Sequence, residues 1–489
     1  MRLCNKTLSD LPDTILKPNY DRKKLSPGII HIGLGNFHRA HQAWYIHRLM
    51  QEGLAGDWAI IGASVLPKDE EQRKRLSSQD YLTTLIELDP KGVSVEVIGS
   101  IVGFVPVQEN NADLIKKMAD PSIRIVSLTI TEGGYFTNSA VGSFNASHPD
   151  IQHDKINPEK PRTAFGAIVA ALKSRKEKGI MPFTCMSCDN LQSNGNILKN
   201  TVLYFARNVE PELANWIEKS VSFPNSMVDC IVPATGDKEY ALANSLNIED
   251  RVPVTHENFR QWVIEDNFCA GRPDLKKVGV TFVKDVHYHE KMKIRLLNGG
   301  HQIIANAGEL LSVPTISECM RHPKIGPLLS KILYEEISPY VQSVPEIDAI
   351  DYINLITERF SNEMILDTTR RVAFDGSSRH PGFLVPSILD ALEAKSNISG
   401  LALAEALWAR MCAGKREDGS IIEPNDPNWI DLQRTAIKAK DEPRVWLDQE
   451  ELYGKLSSNE RFLNTFSNWV KIIWTYGVEA AIDKYLTDV

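Results

Sequence analysis

Apolar positions follow two different rhythms along the 489 residues, and the change between them divides the chain. In the first part, short apolar runs at residues 28–33 (GIIHIG), 58–64 (WAIIGAS), 123–131 (IRIVSLTIT) and 183–188 (FTCMSC) read as buried strands. Between them, Ala40, Trp44, Ile46, Leu49 and Met50 make a helical stripe, and helices are expected over 164–172 and 196–208. Residues 82–107 alternate apolar and polar, which predicts an antiparallel hairpin inserted in the sheet. Further short strands are expected at 227–233, near 254 and at 278–287. Past residue 302 the period becomes helical, over 302–312, 325–339, 350–360, 383–394, 399–413, 428–440 and 459–485. Strands alternating with helices, then helices alone, predict an α/β domain over residues 1–287 and a mostly α-helical domain over 288–489.

Two stretches break the apolar pattern with chemistry. The first strand runs into Gly33-Leu-Gly35-Asn36-Phe37-His38-Arg39 and then a helix. In that context the first glycine makes the turn, and the second lets backbone approach a pyrophosphate at the helix start. His38 stands where a third glycine would be; it and Arg39 either add positive charge for a phosphate or are simply solvated. Beyond the second strand, Asp69, or less well Glu70, is the candidate acceptor for adenosine ribose hydroxyls. Both equally suit a charged loop opening a helix.

The second stretch is residues 291–301, KMKIRLLNGGH. Its leucines suggest a helix on a core, with a Gly-Gly break. Lys293, Asn298 and His301 fall at roughly 0°, 140° and 80° around an α-helix, on one broad face. An amine, an amide and an imidazole there could take a proton from an alcohol and hold the developing oxygen charge. Lys291 also falls near Asn298, so spacing alone does not choose the lysine. Other candidates are weaker: Glu132-Gly133-Gly134-Tyr135 beyond the third buried strand, Asp189-Asn190 beyond the next, Asp229 on a short strand, and an irregular loop at 371–381 holding Arg371, Arg379 and His380.

Composition narrows the classes. A net charge of −8 argues against a nucleic-acid or anionic-membrane surface, and no apolar run approaches a membrane span. The first residues lack a signal-peptide core, and seven scattered cysteines fit a reducing compartment, so the cytoplasm is expected. Cys185 and Cys188 have CxxC spacing but lie in an apolar run without a second ligand pair; burial is expected, and no metal is implied.

With these pieces in place, the chain resembles the polyol-specific long-chain dehydrogenases, the family of mannitol 2-dehydrogenase and fructuronate reductase. GLGNFHRAHQ, TITEGGY, SCDNLQSNG, MVDCIVP, FRQWVIEDNF and KIRLLNGGH carry the resemblance, from Gly33 to at least Pro386. It implies an elaborated Rossmann-type domain followed by a largely helical one, NAD as cofactor, and a polyol or ketose as substrate, D-mannitol and D-fructose ahead of D-fructuronate or another polyol. The absent third glycine is normal in that family. The resemblance implies Lys293 as general base with Asn298 and His301 as partners, and Glu132 linked to proton exchange with solvent. It places Asn190 and Asp229 near substrate and nicotinamide, and Asp69 at the acidic position that favours NAD over NADP. Arg379 beside His380 would be the carboxylate clamp of a uronate reductase, whereas the EGGY turn looks more like the mannitol branch. A non-catalytic dinucleotide sensor would be expected to have lost Lys293, Asn298 or His301; all three are present. A sugar-phosphate dehydrogenase would need a basic cluster in the helical domain. The sequence leaves the oligomeric state open, a monomer included.

Overall fold

Apolar runs too short to be helices and covered on both faces have one stable arrangement, a parallel sheet. The computed structural model, which describes residues 1–138 and 143–488, builds that sheet from β1 (Pro27–Ile32), β2 (Ala59–Ala63), β3 (Ile101–Phe104), β4 (Ile125–Leu128) and β5 (Thr184–Ser187). Their order is β3-β2-β1-β4-β5, and every neighbouring pair is parallel. Side chains alternate between two cores. Ile30, Ile32, Val126 and Leu128 join Phe165 and Phe183 on one face, while Ile29 and Ile125 join Ile46 and Leu49 on the other. The chain leaves β1 toward β2 and later returns to β4 on its opposite side. The carboxyl ends of β1 and β4 therefore flank the switch point, where open α/β sheets bind ligands.

The hairpin forms, as Thr83–Asp89 and Gly92–Ile98, but it is not inserted in this sheet. It pairs instead with Val254–Glu257 in a separate three-stranded sheet, where Asp250 accepts from the Thr84 amide at 2.6 Å. Only the following β3 reaches the main sheet. An unanticipated strand, Gln261–Glu265, pairs antiparallel with Ser226–Asp229 and parallel with Thr281–Val283. These elements belong to one compact unit, Met1–Thr137 with Phe144–His287; a second unit runs from Tyr288 onward.

The second unit is helical, around a core that includes Leu296, Ile303, Ile353, Leu407 and Phe466. The expected long helix at 459–485 is two, Glu460–Tyr476 and Val478–Thr487, because Gly477 takes a φ of 92°. The expected loop at 371–381 is also helical: Thr369–Val372, capped by the Thr368 hydroxyl, then Gly376–Phe383 after Asp375 in the left-handed region. No described helix is long and apolar enough to cross a membrane.

The 291–301 stretch has no break at its glycines. A helix His287–Met292 passes into a π turn, Lys293–Asn298, and on into the helix Gly299–Leu310, with Gly299 at φ −61° and ψ −44°. Residues five apart are hydrogen-bonded neighbours in a π turn, as residues four apart are in an α-helix. The wider turn thus brings Lys293 and Asn298 closer together around the axis than the roughly 140° that separates them on the broad face of an α-helix.

Gly33 ends β1 with a φ of 94°, and a Cβ there would lie 2.1 Å from the Thr129 carbonyl oxygen. Gly33→Ala should therefore destabilise the first unit by at least about 2 kcal/mol, read as a lower urea midpoint at unchanged slope. A midpoint equal to wild type would show that this backbone approach relaxes freely.

Candidate active site

At the switch point the first unit has a cavity of about 590 Å3. Gly33–Gly35 after β1 and Thr129–Thr131 after β4 line it, with Ser64 and Asp69 beyond β2. Gly35 is exposed and open: a Cβ there would meet nothing nearer than the Gly33 carbonyl, at 3.9 Å. That is the space a close-lying pyrophosphate needs. The Ser64 hydroxyl donates to Asp69 at 2.5 Å, which fixes the carboxylate on the wall while leaving it acceptor capacity for ribose hydroxyls. Glu70, the weaker candidate, is instead paired with Arg73 at 2.6 Å, which holds its carboxyl down at about 2. Lys68 and Arg75 line the same cavity, so its field is not purely negative. The residues present fit a dinucleotide.

Two expected contributors do not face a ligand. His38 is 1% exposed and stacked on His31 at 3.5 Å; burial, then neighbouring cationic groups, drive its pKa far down. It is a neutral core ring, not a phosphate cation. Arg39 is equally buried, and its guanidinium serves the Gly35 and Val252 carbonyls and the Asn36 amide oxygen. The Asn36 side chain donates to Pro233 and Thr235, and Phe37 stacks on His41 at 4.9 Å. These side chains shape the turn from behind. The helix they form, Asn36–Ala40, is only five residues long and breaks at His41, so its dipole is modest.

Asn190 is exposed just beyond β5, and Asp229 is 4% exposed at the end of its strand, opposite Gln261. Asp189, named with Asn190 in the sequence but given no role there, has one in the structure. It is 7% exposed and accepts from the Ile130 and Thr131 amides and the Tyr135 hydroxyl, holding the turn that contains Glu132. An acidic residue directly after a buried strand was the available signal. Glu132 opens the turn Glu132–Tyr135; its side chain lies outside what is described. Cys185 and Cys188 are buried on and beside β5, where desolvation raises both thiols, so the CxxC is packing.

In the second unit, Lys293 and Asn298 are 5% and 8% exposed on the π turn. His301 stacks on Phe360 at 4.1 Å, and its buried Nε2 has no partner. Its pKa is pushed well below the usual value by burial first, then by Arg371, Arg359, Arg379 and Lys293. His301 is thus a neutral imidazole among cations, with a nitrogen free for a ligand oxygen. Lys291 is taken by a surface pair with Asp390 at 3.3 Å, which also holds Arg295 at 3.4 Å. Burial distinguishes the two lysines where spacing could not.

Arg371 is bound to Asp367 at 2.7 Å, and Arg379 donates to the Val372 carbonyl at 2.8 Å. His380 is not a ligand residue. It is 1% exposed, stacked on Trp408 and bonded to Glu405 at 2.9 Å and Asn306 at 3.1 Å. Since the substitution removes a fully buried ring and leaves Glu405 and Asn306 without that hydrogen-bond partner, His380→Ala should cost roughly 3–5 kcal/mol. Arg379→Ala should cost under about 1 kcal/mol. Equilibrium denaturation of the two variants checks this; equal losses would contradict it.

The first unit carries a parallel sheet with a glycine turn at its switch point, and the second carries a buried lysine and amide with a neutral imidazole; these are the elements of a nucleotide-dependent dehydrogenase. Residues 27–277 match the mannitol dehydrogenase Rossmann domain and residues 285–474 the mannitol dehydrogenase C-terminal domain. The chain belongs to the mannitol dehydrogenase family. It is 50% identical to mannitol 2-dehydrogenase of Cereibacter sphaeroides, covering 97% of this chain and 99% of the relative. It is 39% identical to that of Pyricularia oryzae, covering 100% and 99%. Among solved structures it is similar to the Pseudomonas fluorescens mannitol 2-dehydrogenase ternary complex with NAD and D-mannitol, at 39% identity, full coverage of both chains and a TM-score of 0.94. Substrate-free D-sorbitol dehydrogenase follows at 34% identity, covering 99% of this chain and 100% of that one, with a TM-score of 0.86.

Proposed function

We infer that the chain is an NAD-dependent oxidoreductase that interconverts D-mannitol and D-fructose, with Lys293 as general base. The observation that carries the mechanism is the π turn, which buries Lys293 and Asn298 together next to a neutral His301. Desolvation favours the uncharged amine that a base requires. Lys293 takes the hydroxyl proton as the carbinol carbon is oxidised. Asn298 and the His301 ring donate hydrogen bonds to the oxygen as charge grows on it, a preorganised hole. A neutral imidazole suits this task, because it donates without surrendering a proton to the substrate. NAD, when bound, supplies the hydride acceptor. Gly33, Gly35 and Asp69 are assigned to hold it, and Asn190 and Asp229 to meet the substrate. The cytoplasm is the compartment this reading assigns, supported by seven free cysteines.

Two features support a neutral polyol over a uronate. The EGGY turn looks more like the mannitol branch of the family, and Arg371 already spends its guanidinium on Asp367. Arg359, Arg371 and Arg379 around His301 favour one competing reading, a sugar-phosphate substrate. NADH-dependent catalytic efficiencies for fructose, fructuronate and fructose 6-phosphate decide among the three. Fructose should lead. A strong preference for fructuronate that disappears in Arg379→Ala would overturn the assignment while leaving the lysine mechanism standing.

Lys293→Ala should lower turnover by roughly two to four orders of magnitude with NADH binding nearly intact, while Lys291→Ala stays within about twofold of wild type. The reverse pattern would move the base to Lys291. The Asp69 carboxylate repels a 2′-phosphate, so NAD should be used in preference to NADP, and Asp69→Ala should narrow the gap mainly through weaker NAD binding. Equal use of both cofactors by the wild-type protein would refute that role.

A further inference from the structure

Beneath the glycine turn lies a chain of buried polar groups that the reaction scheme does not use. The His31 ring on β1 meets the Ser127 hydroxyl through Nδ1 and the Thr129 hydroxyl through Nε2, both at 2.8 Å. Thr129 in turn donates to the Gly33 carbonyl at 2.7 Å, and the Gly35 amide donates to the same oxygen at 2.7 Å. At the other end the Ser127 oxygen lies 2.9 Å from the Gln42 side-chain amide, in an orientation that leaves Gln42 Nε2 buried without a partner. His31, Ser127 and Gln42 are each 2% exposed or less.

The protons in this chain can be counted. If Ser127 donates to Gln42 and Thr129 donates to Gly33, both ring nitrogens of His31 must carry hydrogen, as only an imidazolium does. Burial pulls the His31 pKa down to about 3, so the ring has one N–H. Two neutral arrangements remain. With hydrogen on Nδ1, Thr129 must turn its hydroxyl to the ring and release the Gly33 carbonyl. With hydrogen on Nε2, every donor points toward Gly33, provided the Gln42 amide is reversed; the two ends of an amide are nearly indistinguishable in shape. That reversal also removes the stranded Gln42 N–H, which costs about 1–3 kcal/mol when buried. The same amide also influences the protonation of His38, whose ring nitrogens are both buried and unpartnered.

We propose that Gln42, Ser127, His31 and Thr129 form a one-way hydrogen-bond relay ending on the Gly33 carbonyl, which makes His31 a positioning residue for the glycine turn. The proposal rests on the reading of that turn as the pyrophosphate seat. The relay pulls the Gly33 carbonyl inward against β4, which keeps Gly35 facing the cavity. His31 touches neither cofactor nor substrate; it acts through Thr129.

The test uses the full-length protein. Long-range 1H–15N correlation, with the resonance assigned by its loss in His31→Gln, should show His31 as the Nε2–H tautomer; the Nδ1–H tautomer overturns the proposal. Gln42→Glu keeps the shape but removes the donor. It should weaken NADH binding about tenfold or more, as should Thr129→Val, while Thr129→Ser, which keeps the hydroxyl, restores affinity. Single-turnover reduction at saturating NADH should be unchanged within about threefold in Gln42→Glu, whose side chain is buried away from the cavity, which separates positioning from chemistry. NADH binding by Gln42→Glu at wild-type strength would sink the relay, because a carboxylate suits only the opposite direction. Gly35→Ala separates this from the underlying assignment. Its methyl group meets only open space, so it should fold normally and lose NADH affinity. Normal NADH binding by Gly35→Ala would reject the pyrophosphate seat itself, and the proposal with it. Loss of binding in Gly35→Ala together with wild-type binding in Gln42→Glu would reject the relay alone.

Discussion

The close approach of Gly33 to the Thr129 carbonyl is the constraint on which the nucleotide-binding half depends. β1 and β4 are adjacent and parallel, and their carboxyl ends diverge only after this contact. The absence of a side chain at one position lets two backbones meet, and the resulting turn sets the direction of everything after it: Gly35 toward open space, His38 and Arg39 into the interior. The unusual feature is how many buried polar groups support one bend. Gln42, Ser127, His31 and Arg39 all lie in a layer that a simpler nucleotide fold could fill with apolar side chains. Such a layer is costly unless satisfied, and its reward is a unique geometry.

The helical unit meets an equivalent demand differently. In the proposed mechanism Lys293 is the base, and such a base must lose water yet remain beside groups that handle an oxygen. A regular α-helix would place Asn298 too far around the axis. The π turn adds the needed width and leaves Lys291 on the outside, against Asp390. The cations around His301 then do two things at once: they disfavour a charged imidazole and make the surroundings receptive to an oxygen that gains negative charge.

Most of the sheet was legible because a buried parallel strand has an unmistakable apolar run and because glycines punctuate it. The place of Asp69 on the cavity wall was legible from context, and the grouping of Lys293, Asn298 and His301 in one helical stretch from spacing and motif agreement. What was not legible shares one cause, a side chain whose partner is distant in sequence. His380 looked like a loop ligand until Glu405 and Asn306 claimed it. His38 and Arg39 at a helix start read as phosphate cations or as solvated residues, yet His31 and the Val252 carbonyl lie against them. Asp189 was named beside Asn190 but without a role, because its hydrogen bonds reach back to residues 130, 131 and 135. The hairpin was correct as a local object and wrong in its neighbours, because alternation says which face is buried but not against which strand. The π turn is similarly silent, since an i, i+5 spacing is ambiguous until the backbone is seen.

The π turn also determines how this part of the protein can change over time. A wide turn is, in effect, one residue more than the helix on either side of it needs. Ordinary substitutions along 293–298 alter chemistry but leave that surplus in place. A single-residue deletion would let the segment relax to the common helical pitch, moving Lys293 relative to Asn298 by a whole register step while every other contact of the helix could re-form. Sequence drift here is therefore expected to be tolerant of side-chain type at Ile294 and Arg295 and intolerant of length.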